Sequence, residues 1–324
     1  MGEAFAGRTV GRKAMLWGIC AQSIPDIDFI ASGWLDTPAS LLAHRGFTHS
    51  MFFGVFISLL MAWLANRWHR PHNISFIRWL GFFGAATLSH IFLDTFNNYG
   101  VGLLEPFDHT RISFNTLYVV DPFFSIWPGI ALVMLFLLKQ KNSQRRFWYT
   151  FGLGCSVLYV SYSVLNKTII DKEVKQLFSS QGIVYTRYFT TPAPLQTWLW
   201  FVVAGTDSGY YVGYRSVFDK THHMQLNYFP QNNPLLQLAP DKKVTEQLVQ
   251  FSQQFYTLDK KADTLILNDL RFGQVIGWQN PKEAFAFHYY LQPDIDNRLV
   301  VQRGRFAKWD WAVLTSYLRR IKGQ

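Results

Sequence analysis

Three short runs in the first hundred residues carry carboxylates and imidazoles. They are Pro25-Asp26-Ile27-Asp28, His44-Arg45-Gly46-Phe47-Thr48-His49-Ser50 and His90-Ile91-Phe92-Leu93-Asp94. Each lies beside an apolar stretch or inside its end, where an ionisable side chain is costly unless a partner such as a metal ion compensates it. His90 and Asp94 are four apart, so a helix sets them on one face, one turn from each other, at ligand spacing for Zn²⁺ or a similar divalent ion. The same spacing serves a hydrogen-bonded pair between packed helices. His44 and His49 are five apart and share no helical face. Both reach one ion only if the chain bends, as Gly46 permits; otherwise they are two interfacial histidines in a loop. Asp26 and Asp28 flank Ile27 after a proline. In an extended segment they face the same way, as two ligands or a base pair would; the alternative is a charged helix stop.

Taken together, three histidines and three aspartates form an expected ligand set of His44, His49, His90, Asp94, Asp26 and Asp28. Imidazole with hard carboxylate suits Zn²⁺, Mn²⁺ or Fe²⁺, with zinc or manganese favoured here. Such an ion lowers the pKa of bound water towards about 7 and polarises a carbonyl or phosphoryl oxygen. Asp26 or Asp28, if left outside the ligand set, can take the proton. Arg45 can hold an anionic substrate group or be an ordinary interfacial arginine. Asp121, followed by Pro122, reads as a further ligand or as a helix N-cap. The activity expected is metal-assisted hydrolysis of a lipid, phosphoester or envelope component. The competing reading is a non-catalytic membrane scaffold or envelope-stress protein whose His/Asp cluster only ties helices together. A transporter fits less well, because transport sites sit at the midplane.

The elements that must position these residues are membrane helices. The chain has 324 residues, 49% hydrophobic and 17% aromatic, with 16% charged residues against about 25% in ordinary soluble domains. Apolar runs at 14–24, 50–66, 79–95, 122–138 and 147–166 predict about five transmembrane helices, the first too short alone for the roughly 20 residues that span a bilayer. The net charge of +10 then reads as a topology signal and not as a nucleic-acid footprint. Arg8, Arg12, Lys13, Arg67, Arg70, Arg78, Lys139, Lys141, Arg145 and Arg146 mark one side as cytoplasmic, so segments 25–49 and 96–121 and the C-terminus fall outside. All three motif runs then share the outer face.

After about residue 168 the character changes. β-Branched and aromatic runs at 183–189, 197–203, 209–214 and 284–290, separated by turn signals, read as strands, and 242–257 and 307–321 have helical spacing. The expected organisation is a membrane all-α bundle at 1–168 and an extracytoplasmic soluble α+β domain at 169–324. Here His222, His223 and His288 read as structural or exposed, and Asp269-Leu270-Arg271-Phe272-Gly273 as a buried Asp–Arg pair at a turn. The last helix, basic and aromatic, either rests on a membrane surface or packs on its own domain. Cys20 and Cys155 offer neither a disulfide framework nor a thiolate metal pair, and no phosphate-binding or nucleophile-elbow motif is present.

The three runs resemble the YdjM-type family of bacterial inner-membrane proteins, over about residues 2–125, and the HRGFTHS string at 44–50 is the most specific part. The resemblance implies a multi-pass inner-membrane protein and a metal-dependent hydrolase. The segment with Thr191-Pro192 and Trp198-Leu199-Trp200 resembles an extension carried by longer members. One departure is at the start: members often carry a Thr-His pair upstream of the Gly-Glu found here as Gly2-Glu3. Either the start is clipped or misassigned, or a polar residue of the family's first helix is absent here; the first is the expectation, because an N-terminal extension would lengthen the short first helix.

Overall fold

The computed structural model describes residues 1–69, 74–292, 297, 306 and 308–324. Arg70, Pro71 and His72 of the basic break and residue 307 lie outside these. The described chain divides into two compact units.

The first unit, Met1–Trp34, Ala43–Phe114 and Val119–Ser161, is helical. Helix α1 (Gly2–Val10) is followed at once by α2 (Arg12–Ser23), and Gly11 breaks them apart with a left-handed backbone, φ 64°. The chain folds back closely there: a Cβ on Gly2 would collide with the Ala14 carbonyl oxygen, so only glycine fits. A 3-10 helix over Pro25–Gly33 follows; then, after helix α3 (Thr37–Ala43), which belongs to the second unit but for its last residue, a 3-10 turn over Phe47–His49 leads into α4 (Met51–Trp68). Then come α5 (Phe76–Asp94), α6 (Pro122–Leu137) and α7 (Gln144–Ser180). The core uses small residues from several helices, Ala6, Ala14, Ala21, Ala62, Ala65 and Ala86, around Trp79, Phe82 and Phe83. Small side chains let helix backbones approach when lipid supplies no hydrophobic drive for helix association.

Among the described residues, α4, α5 and α7 are long and apolar enough to cross a membrane. Their apolar side chains point outward: Phe52, Val55, Phe56 and Trp63 on α4, and Val157 and Leu158 on α7, are all exposed. In water such a surface would be an aggregation liability; in a bilayer it is the solvated face. The expected first span differs. The 12 residues of α2 rise about 18 Å, well short of the roughly 30 Å hydrocarbon core. Helix α6, with 16 residues, reaches about 24 Å. Helix α7 runs further than its apolar sequence suggests, through Lys167 and Asp171 to Ser180.

The second unit is Leu35–Leu42, Asn115–Tyr118 and Tyr162–Gln324. It holds two antiparallel sheets. The first is a four-strand meander of β1 (Arg187–Pro192), β2 (Leu199–Gly205), β3 (Gly209–Ser216) and β4 (Leu226–Pro230). The second is β5 (Tyr256–Lys261), β6 (Thr264–Gln274) and β7 (Phe285–Tyr290). Among the described residues it also holds α8 (Lys242–Phe251) and α9 (Trp311–Ile321). Strand β2 is buried on both faces, and its period of two sorts its residues. Leu199, Phe201 and Val203 pack with Leu270, Phe285, Tyr317 and Ile321. Trp200, Val202 and Ala204 pack with Ile170, Val174 and Phe178 of α7.

Two expectations are adjusted. Helix α8 stops at Phe251 and not at 257, because Gln253 and Gln254 take left-handed backbone conformations and β5 begins at Tyr256. The Asp269–Arg271 pair, 2.7 Å apart and buried, lies inside β6 beside a register shift, not at a turn. Helix α9 buries Val313, Tyr317 and Ile321 in its own domain, and its Arg320 binds Asp219 at 2.7 Å. His222 and His223 are exposed, and His288 Nδ1 lies 3.0 Å from the Phe285 carbonyl.

Candidate metal centre

Helix α5 ends at Asp94, so His90 and Asp94 sit on its last turn, one above the other, with His90 Nε2 3.8 Å from Asp94 Oδ2. The chain bends between His44 and His49 through two residues. Gly46 takes φ −86°, ψ −123°, outside the helical and extended regions, and Arg45 takes the left-handed backbone, φ 60°. A side chain persists there only when its surroundings hold it. They do: the Arg45 N–H donates to Asp28 Oδ2 (2.9 Å), its carbonyl accepts from Gly102 N–H (2.9 Å), and its guanidinium donates to Asn97 Oδ1 (2.5 Å). The turn that follows, Phe47–His49, buries His49 completely.

Asp26 and Asp28 lie on a 3-10 helix and not in extended chain, so they do not face the same way. They approach His49 from its two ends. Asp26 Oδ1 is 3.4 Å from His49 Nε2, and Asp28 Oδ2 is 3.3 Å from His49 Nδ1. Asp28 is fully engaged: His44 Nδ1 lies 2.8 Å from its Oδ1, and the Thr48 hydroxyl donates to its Oδ2 at 2.7 Å. Such a carboxylate behind an imidazole fixes tautomer and ring orientation.

On the Nε2 side, four residues converge. One donor atom each from Asp26, His49, His90 and Asp94 lies within 4.8 Å of the others. His49 Nε2 is 3.4 Å from Asp94 Oδ2, and His90 Nε2 is 3.6 Å from Asp26 Oδ1. Ligands about 2.0–2.2 Å from one ion at tetrahedral angles stand roughly 3.3–3.6 Å apart, so the spacing suits a common ion. His49 Nε2, His90 Nε2 and Asp94 Oδ2 are also buried without a hydrogen-bond partner of good geometry. Buried polar atoms are ordinarily satisfied, and three converging orphans mark a place for something more. The group can therefore hold a metal ion.

Charge points the same way. Asp26, Asp28 and Asp94 bring three negative charges, and Arg45 Nε, 3.1 Å from Asp94 Oδ2, returns one positive. A divalent ion balances the remainder if the histidines are neutral; protonated histidines balance it otherwise. Burial opposes ionisation of Asp26 and Asp28, but hydrogen bonds and charge from the histidines overcome it and hold both carboxyls well below the usual range. Burial likewise opposes charge on His49, yet Asp26, Asp28 and Asp94 outweigh it and raise its pKa to about 10.

Of the six expected ligands, four form the converging group, while His44 and Asp28 form the pair behind His49. Arg45 is 7% exposed and lies over the Tyr99 ring, 5.1 Å from its centre. Asp121 is the N-cap of α6: its Oδ1 accepts from Phe123 N–H (2.9 Å) and its Oδ2 from the Tyr159 hydroxyl (2.8 Å). Asn97 joins the site without having been among the expected residues. Its carboxamide oxygen accepts from Arg45 and from Tyr99 N–H, and the signal in the sequence is an Asn pair just past the end of an apolar helix.

Over residues 1–170 the sequence matches the family described as YdjM inner membrane protein. The chain belongs to this family. The match contains every residue of the site and ends before the first strand. Inner membrane protein YbcI of Escherichia coli (strain K12) is 31% identical over 113 residues, 34% of this chain and 64% of that protein. Uncharacterized protein YfhP of Bacillus subtilis (strain 168) is 26% identical over 142 residues, 40% of this chain and 42% of that protein. The chain thus spans less than two thirds of either relative's length. No solved structure matches it.

Proposed function

We propose that this YdjM-family chain is a multi-pass inner-membrane hydrolase dependent on a divalent metal, zinc or manganese, held by Asp26, His49, His90 and Asp94. The observation that carries the proposal is the convergence of four donor atoms, three of them buried and unsatisfied. A bound ion would supply activated water and a Lewis acid for a carbonyl or phosphoryl oxygen. The protein's own residues do the rest. Asp28 orients His49 through Nδ1 and holds His44 at 2.8 Å. The His44 side chain is 35% exposed, and with Nδ1 committed to Asp28 its Nε2 is the nitrogen that takes a proton. Arg45 Nε, 3.1 Å away, holds Asp94 Oδ2 in place. Asp26, 45% exposed, is the carboxylate nearest arriving substrate, which we place among lipids, phosphoesters or envelope components.

Four helices, α4 to α7, separate segment 25–49 from the C-terminal region. If each crosses the bilayer, the site and the C-terminal domain share a side whatever α1 and α2 do, and the basic connections make that side extracytoplasmic. A cysteine at the C-terminus of the full chain should react with impermeant reagent in intact spheroplasts; protection would reverse the orientation.

One observation favours a second reading. Arg45 already pairs with Asp94, and a protonated His49 among three carboxylates could tie the helices without any ion. Elemental analysis of detergent-purified protein separates the two. Stoichiometric zinc or manganese, with metal-dependent cleavage of a phosphoester or ester probe that His49→Ala abolishes, supports the hydrolase. A folded protein that takes up no metal at saturating ion sinks it.

A further inference from the structure

Some distance from the metal centre, at the other end of the helical unit, lies a cavity of about 660 Å³. Arg78 and Asp94 are sixteen positions apart on α5, about 24 Å of helix. Arg8 of α1, Arg78 of α5, Lys141 of the α6–α7 connection and Arg146 of α7 line it, with Phe5 and Tyr149 among the apolar walls. The acid in the lining is Glu3, and both its oxygens are taken by Arg145, at 2.7 Å each. Arg145 also donates to the Leu135 and Leu138 carbonyls, so this buried pair is complete in itself. The four other cations are exposed, and among the described residues their side chains meet no carboxylate.

We infer that this cavity binds the phosphate-bearing headgroup of an anionic membrane lipid. Topology alone asks only for positive charge somewhere in the connecting segments. Here four cations from three separated segments ring one concavity instead. Two of the segments place them at the wrong helix end. Arg78 is in the first turn of α5, and Arg146 in the first turn of α7, where the helix dipole and the unpaired N–H groups favour anions and disfavour cations. An anion between these two N-termini removes that penalty and uses all four side chains. The apolar walls and the position at the basic end of a membrane bundle select a lipid over a freely soluble anion, since basic pockets between membrane helices on the cytoplasmic side suit such headgroups.

The test uses the full-length protein in detergent micelles doped with phosphatidylglycerol or phosphatidylcholine, with retained lipid counted by native mass spectrometry. The wild type should retain phosphatidylglycerol in preference. The combined Arg8→Gln, Arg78→Gln, Lys141→Gln and Arg146→Gln variant should retain it at least about tenfold more weakly, with its metal content unchanged. Equal retention by variant and wild type overturns the inference, as does equal retention of phosphatidylcholine. Inorganic phosphate is run alone as a thermal-shift arm; if it reproduces the whole stabilisation seen with lipid, the site is one for free phosphate and the lipid assignment fails. Should the fourfold variant not fold, the Lys141→Gln and Arg146→Gln double variant replaces it. Several-fold weaker retention is expected there, and wild-type retention overturns the proposal.

Discussion

Two buried polar clusters share the helical unit, and they are built on opposite plans. Glu3 and Arg145 meet in a bidentate pair with both bonds at 2.7 Å, and the remaining guanidinium donor finds two carbonyls. Asp26, His49, His90 and Asp94 converge at 3.4 to 3.8 Å, and three of the four leave a buried atom without a partner. The ion pair is buried throughout while Asp26 of the other cluster is 45% exposed, and the two differ most in satisfaction. A cluster whose donors and acceptors close on each other at hydrogen-bond distance is complete, and its role is to hold helices. One that leaves three buried atoms unsatisfied, with its groups 3.4 to 3.8 Å apart, can take a metal ion.

The comparison can be broken most severely by removing a converging ligand. His49→Ala and His90→Ala should each lose stoichiometric metal altogether, measured by elemental analysis of purified protein; full metal in both would end the metal-centre reading. Next in size is Glu3→Ala. It strands a buried guanidinium and should cost about 3–5 kcal/mol of stability, seen as a lowered melting temperature, while the folded fraction keeps its metal. If metal content falls with Glu3, the two clusters are not independent.

Asp28→Asn sharpens the distinction between ligand and support. It removes the charge behind His49 and His44 but no converging donor, so metal affinity should drop about 10- to 100-fold without being abolished. A competition titration with a chelator reads this directly, and total loss would place Asp28 among the ligands. Smallest is the pH dependence. The carboxylates raise the pKa of His49 to about 10 in the metal-free protein, so an ion must displace its proton. Affinity should therefore rise about tenfold per pH unit through neutrality and level off near pH 10. Asp26 and Asp28, held below their usual range, stay ionised and add nothing to that slope. The sign for the metal-free fold is opposite. A raised histidine pKa stabilises fully below about 6.5, and the contribution is lost as pH rises through 10. A pH-independent affinity would mean that His49 carries no proton for the ion to displace.

Much of this architecture is legible in the amino-acid sequence. Apolar runs mark α4, α5 up to His90 and Asp94, α6 and the first part of α7, because a helix in lipid has no need of charge along its length. The four-residue step puts His90 and Asp94 on one face, since helical pitch is local. The alternation of strand β2 is equally local, although burial on both faces hides which residue serves which core. Hydropathy marks the short run at 14–24, but not the fold-back of α1 on α2 that Gly2 and Gly11 allow, because a close backbone approach leaves no trace in an apolar pattern.

Local sequence alone dictates which residue types reach the end of the bundle, the spacing of His90 and Asp94, and the family. It does so because helix pitch, strand alternation and lipid burial act over a few residues at a time. Three outcomes belong to the tertiary fold. Asp26 and Asp28 divide between the two nitrogens of His49, His44 stands behind and not beside the converging group, and Arg45 turns inward to Asp94 and Asn97. Those outcomes depend on closing segments far apart in the chain around one buried ring, where rotamer and charge are set by neighbours that no local pattern names.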